Sequence, residues 1–144
     1  MLGYYRNADA TAAVMTEDGF LRTGDLARID PDGAVHLVGR CKELIIRSGF
    51  NVYPPEVEAA LMACPGVVQA AVIGRTVPGN EEVLAFVTTD GSTDGPAIAA
   101  HLRDRLAPYK RPQHISIVPD MPLTSAGKIR KPALLEGFEP PQAG

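Results

Sequence analysis

Apolar and polar positions alternate over residues 34–38, and this period of two predicts a strand. Asp30-Pro31-Asp32-Gly33 just before it is a strong turn signal, so residues 26–29 form the other arm of a hairpin. Upstream, residues 18–25 read as two glycine turns around a short strand, and residues 11–15 as a short helical turn. Residues 42–46 predict another short strand. Pro54-Pro55 then opens a helix through residue 63, with Val57, Ala60 and Leu61 on one face. Glu56 and Glu58 fall near the positive end of its dipole. Two apolar, β-branched runs, 67–74 and 83–89, predict strands joined by a polar loop over 77–81. After a turn at 90–95, Pro96 starts a second amphipathic helix bearing Ile98, Leu102 and Leu106 and ended by Pro108. Residues 114–118 predict a third strand, 119–128 a loop, and 133–135 a short terminal turn. The order implies a small α+β fold with helices against a three-stranded sheet.

Composition narrows the class without naming it. The 144 residues are 45% apolar and 22% charged, which suits one globular domain, or one domain plus a piece of another. A net charge of −3 gives no nucleic-acid footprint. No apolar run is long enough to span a bilayer, and the N-terminus lacks a signal pattern. Cys41 and Cys64 match no metal spacing and read as reduced thiols, so a cytoplasmic location is expected and no metal site is. Residues 1–41 hold too few large apolar side chains to fold alone, so they are expected to lean on a segment upstream.

A few positions carry candidate chemistry. Lys128 follows Gly127 in a loop with Thr124 and Ser125. The glycine allows close backbone approach, and the ammonium suits a phosphate or a carboxylate. The alternative is a solvated loop lysine. Asp25 follows Gly24 at a strand end, where its carboxylate either accepts from a vicinal diol such as ribose or only forms a turn. Arg40 follows Gly39, and its fork suits phosphate or ribose oxygens, with an unpartnered surface arginine as the alternative. Gly49 is either a turn glycine or a point where a ligand passes too closely for a Cβ. His36, His101 and His114 have no partners at useful spacing and read as surface or packing residues.

Five motifs in fixed order weigh more than these single positions. They are Thr23-Gly24-Asp25, Gly39-Arg40-Cys41-Lys42-Glu43, Ser48-Gly49-Phe50-Asn51-Val52-Tyr53-Pro54, Leu106-Ala107-Pro108-Tyr109-Lys110-Arg111-Pro112, and Pro122-Leu123-Thr124-Ser125-Ala126-Gly127-Lys128. Together they resemble the C-terminal end of the adenylate-forming superfamily, over residues 2–135. That superfamily comprises acyl-CoA synthetases, peptide-synthetase adenylation domains and firefly-type luciferases. The Lys42-Glu43-Leu44-Ile45 run and Gly49-Phe50-Asn51-Val52-Tyr53-Pro54 look like the fatty-acid and aryl CoA ligases. Many aryl ligases carry lysine at the Ile46 position, where the neighbouring cation here is Arg47.

The resemblance implies an organisation. Residues 1–41 would be a β-rich remnant of a large N-terminal adenylation domain, ending in its terminal hairpin. Residues 42–138 would be the small mobile C-terminal domain, with a β-hairpin and a three-stranded sheet packed by helices, and 139–144 a tail. The family's phosphate loop, adenine motif and acyl pocket would lie in the missing N-terminal domain. The resemblance also implies a reaction using ATP with Mg2+, a carboxylic acid, and coenzyme A as co-substrate. Asp25 and Arg40 would bind nucleotide, Lys42 would be the hinge, and Ser48, Gly49, Phe50 and Asn51 would line the coenzyme A path. Lys128 would bridge carboxylate and α-phosphate. Competing readings are a stand-alone module docking on an adenylating subunit or carrier protein, and a luciferase-like or carrier-protein-loading enzyme.

Overall fold

The computed structural model describes residues 1–138 and divides between Lys42 and Glu43 into two compact units. The tail expected at 139–144 lies outside the described residues.

In the first unit, the Asn7 side chain accepts from the Ala10 N–H at 2.9 Å and opens α1 (Ala8–Val14). That cap starts the helix three residues before the turn expected at 11–15. The short strand expected within 18–25 does not form. A single bridge between Met15 and Leu21 replaces it, closed by Thr16 bonding to Phe20. β1 (Asp25–Ile29) and β2 (Val35–Arg40) make the expected hairpin, antiparallel from Asp25↔Arg40 to Ile29↔Val35, with an irregularity between Leu26 and Ala27. None of residues 1–42 is buried, and Ile29, Val35 and Leu37 are 64–73% exposed. This unit has no core of its own.

A 3-10 turn, Cys41–Glu43, spans the boundary between the units, where the sequence predicts the start of a strand. Only Ile45 onward is extended. β3 (Ile45–Arg47) and β4 (Phe50–Val52) form a hairpin across Ser48-Gly49, whose φ values of 50° and 82° both lie in the left-handed region. Such a two-residue turn matches the strand twist. α2 (Pro54–Met62) buries Pro54, Val57 and Leu61 along one stripe.

β5 (Val67–Val77) and β6 (Asn80–Thr89) pair antiparallel, and β6 pairs parallel with β7 (His114–Ile117), which makes β6 central. The polar loop expected at 77–81 contracts to Pro78-Gly79, and Val77 pairs with Asn80. Gly79 at φ 72° supplies the sharp reversal. α3 (Gly95–Arg103) is capped by Asp94 accepting from the Ala97 N–H at 2.9 Å, and α4 (Lys131–Glu136) closes the described chain.

Both faces of the sheet are covered, so β6 reads as one apolar run rather than an alternating one. Val83, Ala85 and Val87 pack with α2, α3, Ile45 and Val52 on one face. Leu84 and Phe86 pack with Ala71, Met121 and Leu134 on the other. The β3–β4 hairpin approaches β5 closely. A Cβ added to Gly74 would lie 3.0 Å from Cγ1 and 3.3 Å from Cγ2 of buried Ile45. Gly74→Ala is therefore expected to cost about 1–3 kcal/mol by overpacking, read as a lower urea midpoint at unchanged slope. An unaltered midpoint would show that Ile45 can withdraw.

Candidate functional site

The candidate residues fall in four places. In the first unit, Asp25 and Arg40 are a cross-strand pair at the open end of the hairpin, with Arg40 Nε 3.2 Å from Asp25 Oδ1. The Thr23 hydroxyl accepts the Asp25 N–H at 3.1 Å, and Cys41 N–H donates to the Gly24 carbonyl at 2.8 Å. A carboxylate and a guanidinium held side by side can take a diol and an adjacent anion together. His36, unpartnered in the sequence reading, has Nε2 2.9 Å from Asp30 Oδ2, and Arg28 holds the other oxygen at 3.0 Å. These two stabilise the turn.

Lys42 is exposed in the 3-10 turn at the boundary between the units. Its neighbour Glu43 accepts from Lys131 Nζ at 2.7 Å, and Glu58 of α2 contacts the same ammonium at 3.0 Å. Burial works against the Lys131 charge, but the bonds and Coulomb attraction of Glu43 and Glu58 outweigh it and raise its pKa. Glu58 also accepts the Val72 N–H at 2.9 Å. The start of the unit, α2, β5 and α4 are thereby joined through charged bonds.

Gly49 of the turn faces open space, with no heavy atom of the described residues beyond its chain neighbours within 4 Å of a Cβ built on it. Its glycine is required by backbone conformation rather than by crowding. Phe50 is half-exposed and stacks on Tyr109 with centroids 4.7 Å apart, and Asn51 is exposed. Arg47 is not a free cation. Its guanidinium donates to the carbonyls of Tyr109 at 3.0 Å and Arg111 at 2.8 Å, and so ties the hairpin to the Pro108–Lys110 3-10 turn. Lys110 bonds Glu56, which is the main cause of its raised pKa.

Two further side chains hold this hairpin, and the sequence reading did not single them out. The Ser48 N–H donates to Asn80 Oδ1 at 2.6 Å, and Asn80 Nδ2 donates to Ser48 Oγ at 3.3 Å. The Ile46 N–H donates to the carboxylate of Glu81. No local signal marks them, because their partners lie 32 and 35 residues earlier.

Lys128 closes a backbone-bonded loop. Thr124 N–H donates to the Lys128 carbonyl at 2.7 Å, Lys128 N–H to Thr124 Oγ1 at 3.1 Å, and Gly127 N–H to the Thr124 carbonyl at 2.9 Å. Gly127 at φ 75° makes the turn, while Leu123 bridges Ile129 and Arg130 N–H reaches the Pro122 carbonyl. Among the described residues the Lys128 ammonium has no hydrogen-bond or ion-pair partner. Ile129 packs with the Leu84–Phe86–Leu134 cluster, whereas Ile45 and Val52 belong to the other one. The Lys128 loop and the Gly49 hairpin are thus rooted on opposite faces of one sheet. An open depression of about 390 Å³ lined by Phe86, Ser116, Leu134 and Phe138 contains none of these candidates. The described residues contain no cluster of three His, Cys, Asp or Glu that could hold a metal, and no helix long and apolar enough to cross a membrane.

Residues 56–128 match the AMP-binding enzyme C-terminal domain. The chain belongs to that family. It is 45% identical over 134 residues to a feruloyl-CoA synthase from Amycolatopsis sp, covering 91% of this chain and 27% of that protein. It is 39% identical over 138 residues to a sulfoacetate–CoA ligase from Cupriavidus necator, covering 94% and 27%. It superposes on the crystal structure of ATP-bound MatB from Rhodopseudomonas palustris with a TM-score of 0.83 at 41% identity, covering 93% of this chain and 27% of that one. The chain therefore spans about 27% of the length of the curated relatives it matches.

Proposed function

We propose that this chain is the C-terminal part of an ATP-dependent ligase that joins a fatty or aryl carboxylic acid to coenzyme A. The observation that carries the reading is the placement of Lys128: an ammonium without a partner among the described residues, on a loop fixed by its own backbone bonds, rooted on the face opposite the open Gly49 turn. The named activities of the relatives support it.

In the first step a carboxylate oxygen bonds to the α-phosphorus of ATP and pyrophosphate leaves. Two anions must approach, so a fixed cation at the point of charge accumulation lowers the barrier most. Lys128 supplies it by touching the carboxylate and an α-phosphate oxygen, while Asp25 accepts from the ribose hydroxyls and Arg40 lies beside the ribose or phosphate. In the second step the thiol sulfur of coenzyme A bonds to the acyl carbon, the acyl–phosphate C–O bond breaks, and AMP leaves as the thiol loses its proton. Ser48, Gly49, Phe50 and Asn51 line the pantetheine path. One domain cannot turn both faces of its sheet to one site, so the second unit rotates about Lys42 between steps. The boundary of the units at Lys42 is consistent with that pivot. Magnesium would arrive with the nucleotide phosphates, which supply oxygen ligands for it in such sites.

The isolated chain is expected to be silent, and the full-length protein containing it to exchange pyrophosphate into ATP with fatty or aryl acids. Exchange by the isolated chain would overturn the fragment reading. Absence of exchange by the full-length protein across such a panel would overturn the ligase reading. Offering coenzyme A and a carrier protein as alternative acceptors then identifies the thiol.

A further inference from the structure

In an antiparallel hairpin, the N–H groups at alternate residues turn away from the partner strand and need other acceptors. Here these are the N–H groups of Ile46 on β3 and of Ser48, the first residue of the turn. They meet two consecutive side chains at the start of β6, the carboxylate of Glu81 and the amide oxygen of Asn80. Asn80 also returns a bond to the Ser48 hydroxyl. Two side chains stand where a further strand would lie.

Chain reversal alone does not call for this arrangement. Asn-Gly or Asp-Gly would make the same turn by local preference. Here serine occupies the first left-handed position at φ 50°, a conformation that costs roughly 1–2 kcal/mol for a residue with a Cβ. Long-range bonds from Asn80 hold it there. The face of Gly49 stays clear of heavy atoms, so the clamp fixes the turn without covering it. Arg47 grips the Tyr109 and Arg111 carbonyls through its side chain. Consecutive residues 46, 47 and 48 are therefore all anchored, while Gly49 is presented to solvent.

We propose that Asn80 and Glu81 are positioning residues for the thiol-transfer step, holding the Ser48-Gly49 turn in the shape that receives the pantetheine arm. This rests on the ligase reading above. Neither residue touches a reacting atom. They act through the backbone of the turn, so their loss is felt in one half-reaction and not the other.

The test uses the full-length protein with Asn80→Ala, Asn80→Asp and Glu81→Gln. Asn80→Ala is expected to slow thioester formation from supplied acyl-adenylate by up to about 100-fold, the scale of a misplaced reaction geometry. The KM for coenzyme A should rise while pyrophosphate exchange is unchanged. Asn80→Asp keeps the acceptor for the Ser48 N–H, and Glu81→Gln keeps one for Ile46, so both should retain most of the thioester rate. Equal loss of both half-reactions by Asn80→Ala, or a thioester step that ignores it, overturns the proposal. Amide hydrogen exchange supplies a readout free of catalysis. The Ser48 amide should be protected in the unmutated protein and should lose protection selectively in Asn80→Ala. Rapid exchange at Ser48 in the unmutated protein would show that no clamp exists. A protected Ser48 in a protein that performs no pyrophosphate exchange would instead remove the ligase reading, and with it the thiol-transfer role.

Discussion

Replacing Lys128 with alanine in the full-length protein is expected to slow adenylation by about 10²–10³-fold, while thioester formation from a supplied acyl-adenylate proceeds as before. The asymmetry follows from where the charge is needed. Adenylation gathers negative charge from the attacking carboxylate and from the phosphate it approaches. In thiol transfer the carboxylate is already an uncharged acyl group and AMP carries the α-phosphate away. On the proposed rotation the Gly49 face, rather than the Lys128 loop, is turned to the site. The variant is also a clean probe of the side chain. The bonds that shape the loop use the Lys128 N–H and carbonyl, which alanine retains. Gly127 keeps its left-handed φ, and Ile129 keeps its place in the core. Pyrophosphate exchange and single-turnover thioester formation, measured on the same preparation, decide the matter. Equal loss of both would remove Lys128 from the role assigned to it.

The second large effect concerns stability. Leu61→Ala is expected to destabilise the second unit by about 2–5 kcal/mol, the cost of removing a buried leucine and leaving a cavity. Leu61 is fully buried in the cluster that joins α2 to β5, β6 and α3. A domain of ordinary stability has only about 5–15 kcal/mol in total, so the urea midpoint followed by far-ultraviolet circular dichroism should fall far. α2 also carries Glu56 and Glu58, the partners of Lys110 and Lys131. Loosening it disturbs both sides of the sheet, and both half-reactions should decline together on warming. That pattern separates it from Lys128→Ala. A loss below about 1 kcal/mol would mean that the neighbours of Leu61 collapse into the space.

The apolar β6 run, the Pro-opened α2 and the Asp30–Gly33 turn were legible because each rests on local rules that tertiary packing reinforces. Residues 77–81 were not. Asn80 and Glu81 look like loop residues, yet their side chains are occupied by the backbone of a hairpin far away in sequence. Residues 42 and 43, expected to start a strand, failed for another reason: the apolar run 44–46 follows them directly, and nothing local marks where the 3-10 turn yields to the strand. Glu56 and Glu58 look like dipole-stabilising acids at a helix start. Glu56 does lie in the first turn of α2, but each also pairs with a lysine from a distant segment. Among the site residues, Gly127-Lys128 and Ser48-Gly49 were visible as types at suggestive positions. The role of Arg47 was not, since the three-dimensional approach of residues 108–111 decides where its guanidinium goes.

β6 gives experimental access to each side of the domain separately. Successive residues along it contribute to different clusters, Val83, Ala85 and Val87 to one and Leu84 and Phe86 to the other. An isotope-labelled methyl or a fluorinated aromatic at an even position would report on the environment behind Lys128. The same label at an odd position would report on the hairpin. Placed at neighbouring residues, two such labels would show in real time which side of the domain a bound nucleotide or thiol engages.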